Sequence, residues 1–159
     1  MNRLFEASVF NLLRGRAMRL GLQLQAQHTG KHLATLDSDP KAAFFNLRPD
    51  LVLSEEGRVV AVADTKWMRL ERDSAGRFLP RNEHAYQMSA YAGAYACDEV
   101  TLVYPWHAGL EGAHPTAYAL PGNSDGVTRL HVVCVDVSVD ELPFKMMAAQ
   151  ASFTRILYA

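Results

Sequence analysis

The sequence predicts a mixed α/β fold, in which helices cover the faces of one sheet. Three observations support this prediction. Apolar residues recur at helical spacing near both ends of the chain, several short segments are apolar or alternate with period two, and a helical pattern separates two apolar segments. The 159 residues contain no repeat and no linker-like stretch, so we expect one domain over residues 1–159.

The first half of the chain predicts a helix followed by three strands. Asn2 is a candidate N-cap for a helix that Gly15 weakens after about three turns. Residues 20–28 alternate as a half-buried strand, and residues 44–53 form the next strand after a turn at 37–41. The remaining features are the apolar stripe of the helix (Phe5, Val9, Leu12, Leu13), a hairpin connection at 54–57 with Gly57 at the tight position, and a strand at 58–67 that is buried on both faces.

The second half predicts a crossover and two further strands. Residues 68–82 form an exposed loop, and Asn82 caps a helix over 83–96. The apolar segment 99–105 follows as a strand, so the helix carries the chain back onto the same sheet. The rest comprises a loop at 106–127 with a short strand at 116–120, a strand at 129–139 with Val133, Val135, Val137 and Val139 on one face, and a terminal helix from Pro143 with Phe144, Met147, Ala148 and Ala151 at helical spacing.

The composition excludes several classes of protein. Hydrophobic residues make up 49 % and charged residues 21 %, which excludes a mainly disordered chain. No apolar run reaches the ~20 residues of a membrane span, and no secretory signal precedes the first helix. Cys97 and Cys134 are too few for a disulfide framework. We therefore expect a cytoplasmic protein.

The charge is distributed unevenly along the chain. Residues 1–81 hold 13 of the 16 Lys and Arg residues and 9 of the 17 Asp and Glu residues, whereas the second half is acidic. A basic first half could face a polyanion such as DNA. It could also be a solvated surface without a binding role, and charge alone favours that interpretation.

Two carboxylates and a lysine form the candidate catalytic cluster. Asp50 ends the segment RPD, and Asp64 and Lys66 lie on one face of the following strand because side chains alternate along a strand. The hairpin at 54–57 would bring Asp50 beside Asp64. Close carboxylates repel each other, and a hard divalent cation relieves that repulsion. A metal-bound water can then attack a phosphorus atom, with Lys66 orienting the water or neutralising the phosphate. The alternative is an ordinary surface Asp–Lys pair.

Residues on both helices could extend this cluster. Glu6 lies in the first turn of the first helix, where it could be a third metal ligand or only a carboxylate that the helix dipole favours. Gln87 and Tyr91 share one face of the second helix. They could support a metal site and touch nucleic acid, or Tyr91 could simply be a core residue.

Together these motifs resemble the PD-(D/E)xK nuclease superfamily, and within it the nuclease domain of the McrC family of the McrBC restriction system. The resemblance rests on an N-x-L-F-E helix, a PD strand, a D-x-K strand followed by an aromatic residue, a YQ…AYA helix and a strand ending in Tyr-Pro. The matching residues are Asn2, Leu4, Phe5, Glu6, Pro49, Asp50, Asp64, Lys66, Trp67, Tyr86, Gln87, Ala90, Tyr91, Ala92, Tyr104 and Pro105.

The resemblance implies a restriction-endonuclease-like mixed sheet with an αβββαβ core. It also implies a Mg²⁺-dependent DNA endonuclease, with Mn²⁺ as a substitute metal, in which Asp50, Asp64 and Glu6 bind the ion and Lys66 positions the attacking water. Gln87 would support the metal site or contact DNA, and Tyr91 would buttress it or contact DNA. The candidates for phosphate contact are Arg48, Arg69, Arg72, Arg77 and Arg81.

The resemblance further implies partners. The substrate would be DNA, with the methylation requirement left open, and a McrB-like GTPase subunit would supply recognition. McrC proteins carry a further N-terminal region that engages the GTPase ring, and this sequence starts at the nuclease helix, which leaves GTPase coupling in question. Cutting both strands needs two active sites, so a homodimer is expected.

Three alternatives remain open at this point. The chain could be a non-catalytic module that uses a nuclease fold to bind DNA or a partner, although such a module would be expected to lack one of the three cluster residues. It could also be another PD-(D/E)xK enzyme, such as a RecB-like exonuclease or a junction resolvase. A zinc site at His28 and His32 is disfavoured because the segment between them is not helical.

Overall fold

The computed structural model describes residues 2–113, 116–122, 126–137 and 156. The bounds of its elements, in chain order, are α1 Asn2–Arg19, β1 Gln23–Ala26, β2 Lys31–Leu36, β3 Asp39–Leu47, β4 Leu51–Glu55, β5 Arg58–Thr65, β6 Glu71–Arg72, β7 Phe78–Leu79, α2 Asn82–Tyr95, β8 Glu99–Pro105, β9 Thr116–Pro121 and β10 Val127–Val135. A short 3-10 helix, Ala108–Leu110, follows β8.

Six strands form one mixed sheet in the order β1-β4-β5-β8-β10-β9. β1, β4 and β5 are antiparallel neighbours, and β5 pairs in parallel with β8. The connection from β5 through α2 to β8 is therefore the crossover that the sequence predicts. α1, β1, β4, β5, α2 and β8 together form the expected αβββαβ core.

The sheet has a hydrophobic core on each face. α1 packs on one face through Phe5, Val9, Leu13 and Ala17, which are all buried. α2 packs on the other face, where Met88 contributes to a second core. Neighbouring residues of β5 divide between the two cores, so the prediction that this strand is buried on both faces is confirmed.

The hairpin between β4 and β5 also forms as expected. Glu56 and Gly57 both have positive φ, at 50° and 81°. A two-residue turn with positive φ at both positions matches the twist of the flanking strands, and glycine adopts it without strain. This turn places Glu55 opposite Arg58, and a one-residue irregularity between Leu53 and Ser54 then brings Leu51 opposite Ala63.

The predicted single strand at 44–53 is wrong. β3 ends at Leu47 and pairs with β2 in a separate two-stranded hairpin, whereas β4 begins at Leu51 in the main sheet. Pro49 lies between them and has no N–H to donate to a strand ladder, which explains the break. β2 was missed because most residues of this hairpin are exposed, so its sequence carries no clear alternation.

Three local expectations also need correction. α1 continues past Gly15 to Arg19, because burial of Ala17 stabilises the last turn against the roughly 1 kcal/mol cost of a helical glycine. The N-cap of α2 is Arg81 and not Asn82, and no side chain caps this helix. The segment 68–82 is not all exposed loop, since β6 and β7 form a small hairpin and Phe78 is buried.

The C-terminal part of the chain is described only in pieces. Val133 and Val135 are buried in the same core as α1, which agrees with their predicted shared face, whereas Val137 is exposed. Val139 and the predicted terminal helix from Pro143 lie outside the described residues, apart from Ile156, which is buried in the α1 core. Within the described ranges, no helix has both the length and the apolar character needed to cross a bilayer.

The α1 core provides a matched test of the fold. Leu13 is 1 % exposed and Leu4, on the same helix, is 68 % exposed. We expect Leu13→Ala to lower the free energy of unfolding by about 2–4 kcal/mol, because it leaves a cavity between α1 and the sheet. Leu4→Ala should change it by less than about 0.5 kcal/mol. Urea denaturation of both variants measures the difference, and equal losses would contradict the packing of α1.

Candidate active site

The predicted carboxylates meet where β4 begins and β5 ends. Leu51 lies opposite Ala63, so Asp50 and Asp64 occupy neighbouring positions at the same edge of the sheet. The Thr65 amide and hydroxyl donate to Asp50 Oδ2 over 2.7 and 2.6 Å. Both bonds use one oxygen, and Oδ1 of Asp50 has no hydrogen bond to any residue in the described part of the chain. Thr65 thus orients Asp50, a role that its outward position in the D-x-K motif did not suggest.

Lys66 links Asp64 to α2. Its Nζ lies 2.5 Å from Asp64 Oδ2 and donates to Gln87 Oε1 over 2.8 Å. Gln87 Nε2 in turn donates to the Tyr91 hydroxyl over 2.8 Å. The backbone supports this arrangement, since the Lys66 amide continues the parallel pairing by donating to the Val103 carbonyl. A chain of four side chains therefore runs from the end of β5 into the α2 core.

Glu6 lines the same cleft, and a residue that the sequence analysis missed holds its carboxylate there. Gln27, at the end of β1, donates to Glu6 Oε1 over 2.7 Å and accepts a hydrogen bond from Arg48. The backbone N–H of Gln27 donates to the Asp50 carbonyl. The φ of Gln27 is 48°, which is uncommon for a residue other than glycine. Gln27 therefore connects α1 to the segment before β4. No sequence signal marks it, because its partners come from distant parts of the chain.

His84 is a second residue that the sequence analysis missed. It is buried, lines the cleft, and its Nδ1 lies 2.7 Å from the Tyr104 hydroxyl. Burial lowers the pKa of His84, and the nearby Lys66 ammonium lowers it further. His84 precedes Gln87 by three residues and therefore shares its face of α2, a spacing that could have identified it.

These residues enclose a cleft of about 390 Å³. Its walls come from α1, the segment before β4, the end of β5 and α2. The lining residues are Asn2, Glu6, Arg48, Asp50, Asp64, Thr65, Lys66, Trp67, Met68, His84 and Gln87.

The electrostatics of the cleft favour an added cation. Burial, together with the nearby Asp50 carboxylate, raises the pKa of Asp64 to about 6, and Lys66 only partly opposes them. Two carboxylates with several waters suit Mg²⁺, which takes one or two carboxylates from a protein. In the described part of the chain, no three His, Cys, Asp or Glu side chains are grouped to hold a metal. The arrangement thus fits a site with Asp50 and Asp64 as protein ligands and Glu6 held to one side by Gln27.

The predicted DNA-contact residues occupy different positions. Arg48 lies at the cleft, whereas Tyr91 is only 3 % exposed and supports Gln87 from the core. The other four arginines lie on the segment between β5 and α2. There Arg77 pairs with Asp73 at 2.7 Å, Arg81 lies 3.6 Å from Glu83, and Arg72 donates to the Gly109 carbonyl. Arg69 and Arg81 both line a pocket next to the start of α2.

Burial of Asp64 predicts a pH-dependent cost to stability. Because its pKa rises from 3.8 to about 6 on folding, the ionised carboxylate costs about 1–3 kcal/mol. In metal-free buffer we expect Asp64→Asn to be more stable than the parent chain by that amount at pH 7.5. The advantage should shrink as the pH falls from 6 to 4, where the parent carboxyl becomes neutral in both states.

Thermal denaturation in EDTA between pH 4 and 8 measures this difference. Asp37→Asn is the matched control at an exposed carboxylate and should shift the free energy of unfolding by less than about 0.5 kcal/mol. An Asp64→Asn variant less stable than the parent chain at pH 7.5 would show that the ion pair with Lys66 outweighs burial.

Comparison with known proteins identifies the family of this chain. Residues 1–105 match the family described as McrBC 5-methylcytosine restriction system component. A chain of a Thermococcus gammatolerans structure, a refined half-complex from a tetradecameric assembly of McrB AAA+ hexamers with bound McrC, has a TM-score of 0.61 at 14 % identity. The alignment covers 98 % of the present chain and 31 % of the other, so this chain spans about a third of that neighbour's length. No curated protein matches.

The solved neighbour supports the fold, which is the restriction-endonuclease-like mixed α/β fold that the motifs imply. The family match covers more than half of the chain and includes α1, β4, β5, α2 and β8. The chain therefore belongs to the family of McrBC 5-methylcytosine restriction system components.

Proposed function

We propose that this chain is a Mg²⁺-dependent DNA endonuclease domain of a McrBC-type restriction system. The observation that carries this proposal is the convergence of Asp50, Asp64 and Lys66 at one edge of the sheet, with Lys66 only 2.5 Å from Asp64. A non-catalytic module would have no need to keep a buried carboxylate beside a second carboxylate, because burial of an ionised group is costly.

Asp50 and Asp64 would hold the metal ion. Asp50 offers the oxygen that Thr65 does not use, and Asp64 offers a carboxylate whose charge is poorly compensated. When bound, Mg²⁺ would lower the pKa of a coordinated water and neutralise charge on a phosphate oxygen. Glu6 could join through a water molecule, because Gln27 holds its carboxylate near the cleft.

Lys66 would act on the attacking water or the phosphate. Its ammonium group has three donors, and Asp64 and Gln87 use two of them. The third donor can serve a water or a non-bridging phosphate oxygen. Gln87, fixed by the buried Tyr91 hydroxyl, keeps the ammonium in this position. The positive charge of Lys66 is thus already in position where negative charge develops during phosphodiester hydrolysis.

The proposed partners follow from the family. Its name refers to the McrBC system, and the solved neighbour comes from an assembly of McrB AAA+ hexamers with bound McrC. We propose that a McrB-like GTPase subunit recruits this domain to DNA, and that two copies act together where both strands are cut. Arg48, at the rim of the cleft, would contact a phosphate next to the one that is cleaved.

The decisive experiment is plasmid cleavage by the purified chain, alone and with a McrB-like GTPase subunit and GTP. We expect cleavage with Mg²⁺ or Mn²⁺ and none with EDTA. Lys66→Ala should lower the rate by about 10²-fold or more, because it removes a donor that acts on the transition state. Lys41→Ala, at an exposed lysine on β3, is the matched control and should cut at the parental rate.

Three results would change the assignment. Cleavage by Lys66→Ala at the parental rate would contradict the mechanism. If the chain neither cuts with its partner nor binds Mg²⁺ by calorimetry, it would instead be a non-catalytic module with a nuclease fold. Cleavage that starts only at DNA ends would indicate a RecB-like exonuclease.

The hydroxyl of Tyr91 provides a finer test of the site. Tyr91→Phe removes the acceptor that holds Gln87, so we expect a cleavage rate about fivefold lower, as loss of one hydrogen bond predicts. KM for DNA should stay unchanged, because Tyr91 is buried and cannot touch the substrate. Tyr95→Phe is the matched control, since the Tyr95 hydroxyl bonds His28 outside the cleft. An equal rate for both variants would show that Gln87 needs no support.

A further inference from the structure

We propose that a second pocket beside the active site binds a nucleobase of the DNA strand that is cut. This base pocket has a volume of about 380 Å³, and its principal walls are Trp67, Met68, Arg69, Trp106, His107 and Gly109. The inference rests on the proposed nuclease function and names the part of the substrate that this neighbouring site receives.

The base pocket shares a wall with the catalytic cleft. Trp67 and Met68 line both spaces, and Trp67 directly follows Lys66. The Trp67 ring packs against Phe5 with the ring centroids 5.3 Å apart, yet it remains 37 % exposed. A nucleotide whose phosphate lies in the cleft can therefore place its base against this wall.

The chemistry of the walls suits a flat, polar ring. Trp67, which is 37 % exposed, offers an aromatic face on which a base can stack, and stacking of this kind tolerates any base. Arg69 adds a cation with planar geometry, which can stack on a base or bond its carbonyl oxygen. An aliphatic ligand could neither stack on the arginine nor accept a hydrogen bond from it, and a phosphate could not stack on an indole.

His107 supplies a hydrogen-bond acceptor in the pocket. Its Nε2 lies 2.9 Å from the Leu70 carbonyl, and because a carbonyl only accepts, Nε2 carries the proton. In the neutral ring, Nδ1 is then an acceptor, and this buried atom has no partner in the described part of the chain. Buried polar atoms are rarely left without a partner. Because Nδ1 is itself buried, an N–H group on the edge of a base would satisfy it only once the wall around it opens.

Gly109 keeps the space over these groups open. A Cβ at this position would lie 2.8 Å from Arg69 Nη2 and 3.0 Å from His107 Nδ1. The first contact is too short for a carbon atom and the second is tight, so a side chain here would displace the end of the flexible Arg69 side chain and crowd the acceptor. Gly109 is itself exposed, which makes it a position where the pocket can be altered without disturbing the core.

The test compares a short single-stranded oligodeoxycytidylate with the same sugar–phosphate chain carrying abasic sites. Binding is followed in EDTA by fluorescence anisotropy and by quenching of tryptophan emission. We expect the intact strand to bind about tenfold more tightly than the abasic strand and to quench the emission, as stacking of a base predicts. Trp67→Ala and Gly109→Ala should each lose most of this difference, and His107→Phe should lose part of it.

Tyr86→Ala is the matched control, because Tyr86 is an aromatic residue on α2 with 73 % exposure that lies outside the pocket, and it should bind as the parent chain does. If Trp67→Ala does not fold, Gly109→Ala decides alone. Equal binding of intact and abasic strands, or parental binding by Gly109→Ala, would overturn the base pocket even if the chain cuts plasmid. Base-dependent binding without any cleavage would instead contradict the nuclease function and keep the pocket.

Discussion

The burial of the Asp64 carboxylate is the constraint on which the rest of the site depends. β5 is covered by a hydrophobic core on each face, so its last carboxylate lies in a region of low polarity beside Asp50. A buried charge needs compensation, and Lys66 supplies part of it. Lys66 in turn needs an acceptor to fix its position, which Gln87 provides from α2. The charge that is left uncompensated supports the proposal that the site takes a divalent cation.

The fold gathers this site from elements that are far apart in the chain. The antiparallel pairing of β4 with β5 places the two aspartates side by side, and the crossover brings α2 over the same edge of the sheet. Gln27 then joins α1 to the segment before β4 in a backbone conformation that is costly for glutamine. Such strain persists only where surrounding contacts determine it, which agrees with a functional role for this corner of the molecule.

The surroundings of the cleft match a polymeric substrate better than a small one. The cleft shares Glu6 and Arg48 with a space that also contains Arg3, and on its other side it shares Trp67 and Met68 with the base pocket. Cations therefore line one of the spaces next to the carboxylates, and aromatic side chains line the other. A single-stranded or locally opened DNA segment could contact both sides, since phosphate contacts position a strand and stacking holds its bases.

The sequence by itself determined β5, α2, β8 and the β4–β5 turn, because period, turn chemistry and the length of an apolar run are local properties. The hairpin also predicted that Asp50 lies beside Asp64, although the observed register includes an irregularity between Leu53 and Ser54. Only the tertiary structure decided that β2 and β3 leave the main sheet, that α1 continues past Gly15, and that Gln27, His84 and Trp106 lie beside the proposed catalytic cleft or base pocket. Each of these outcomes depends on contacts between distant segments, whose free energies outweigh local preference and leave no pattern in a single sequence.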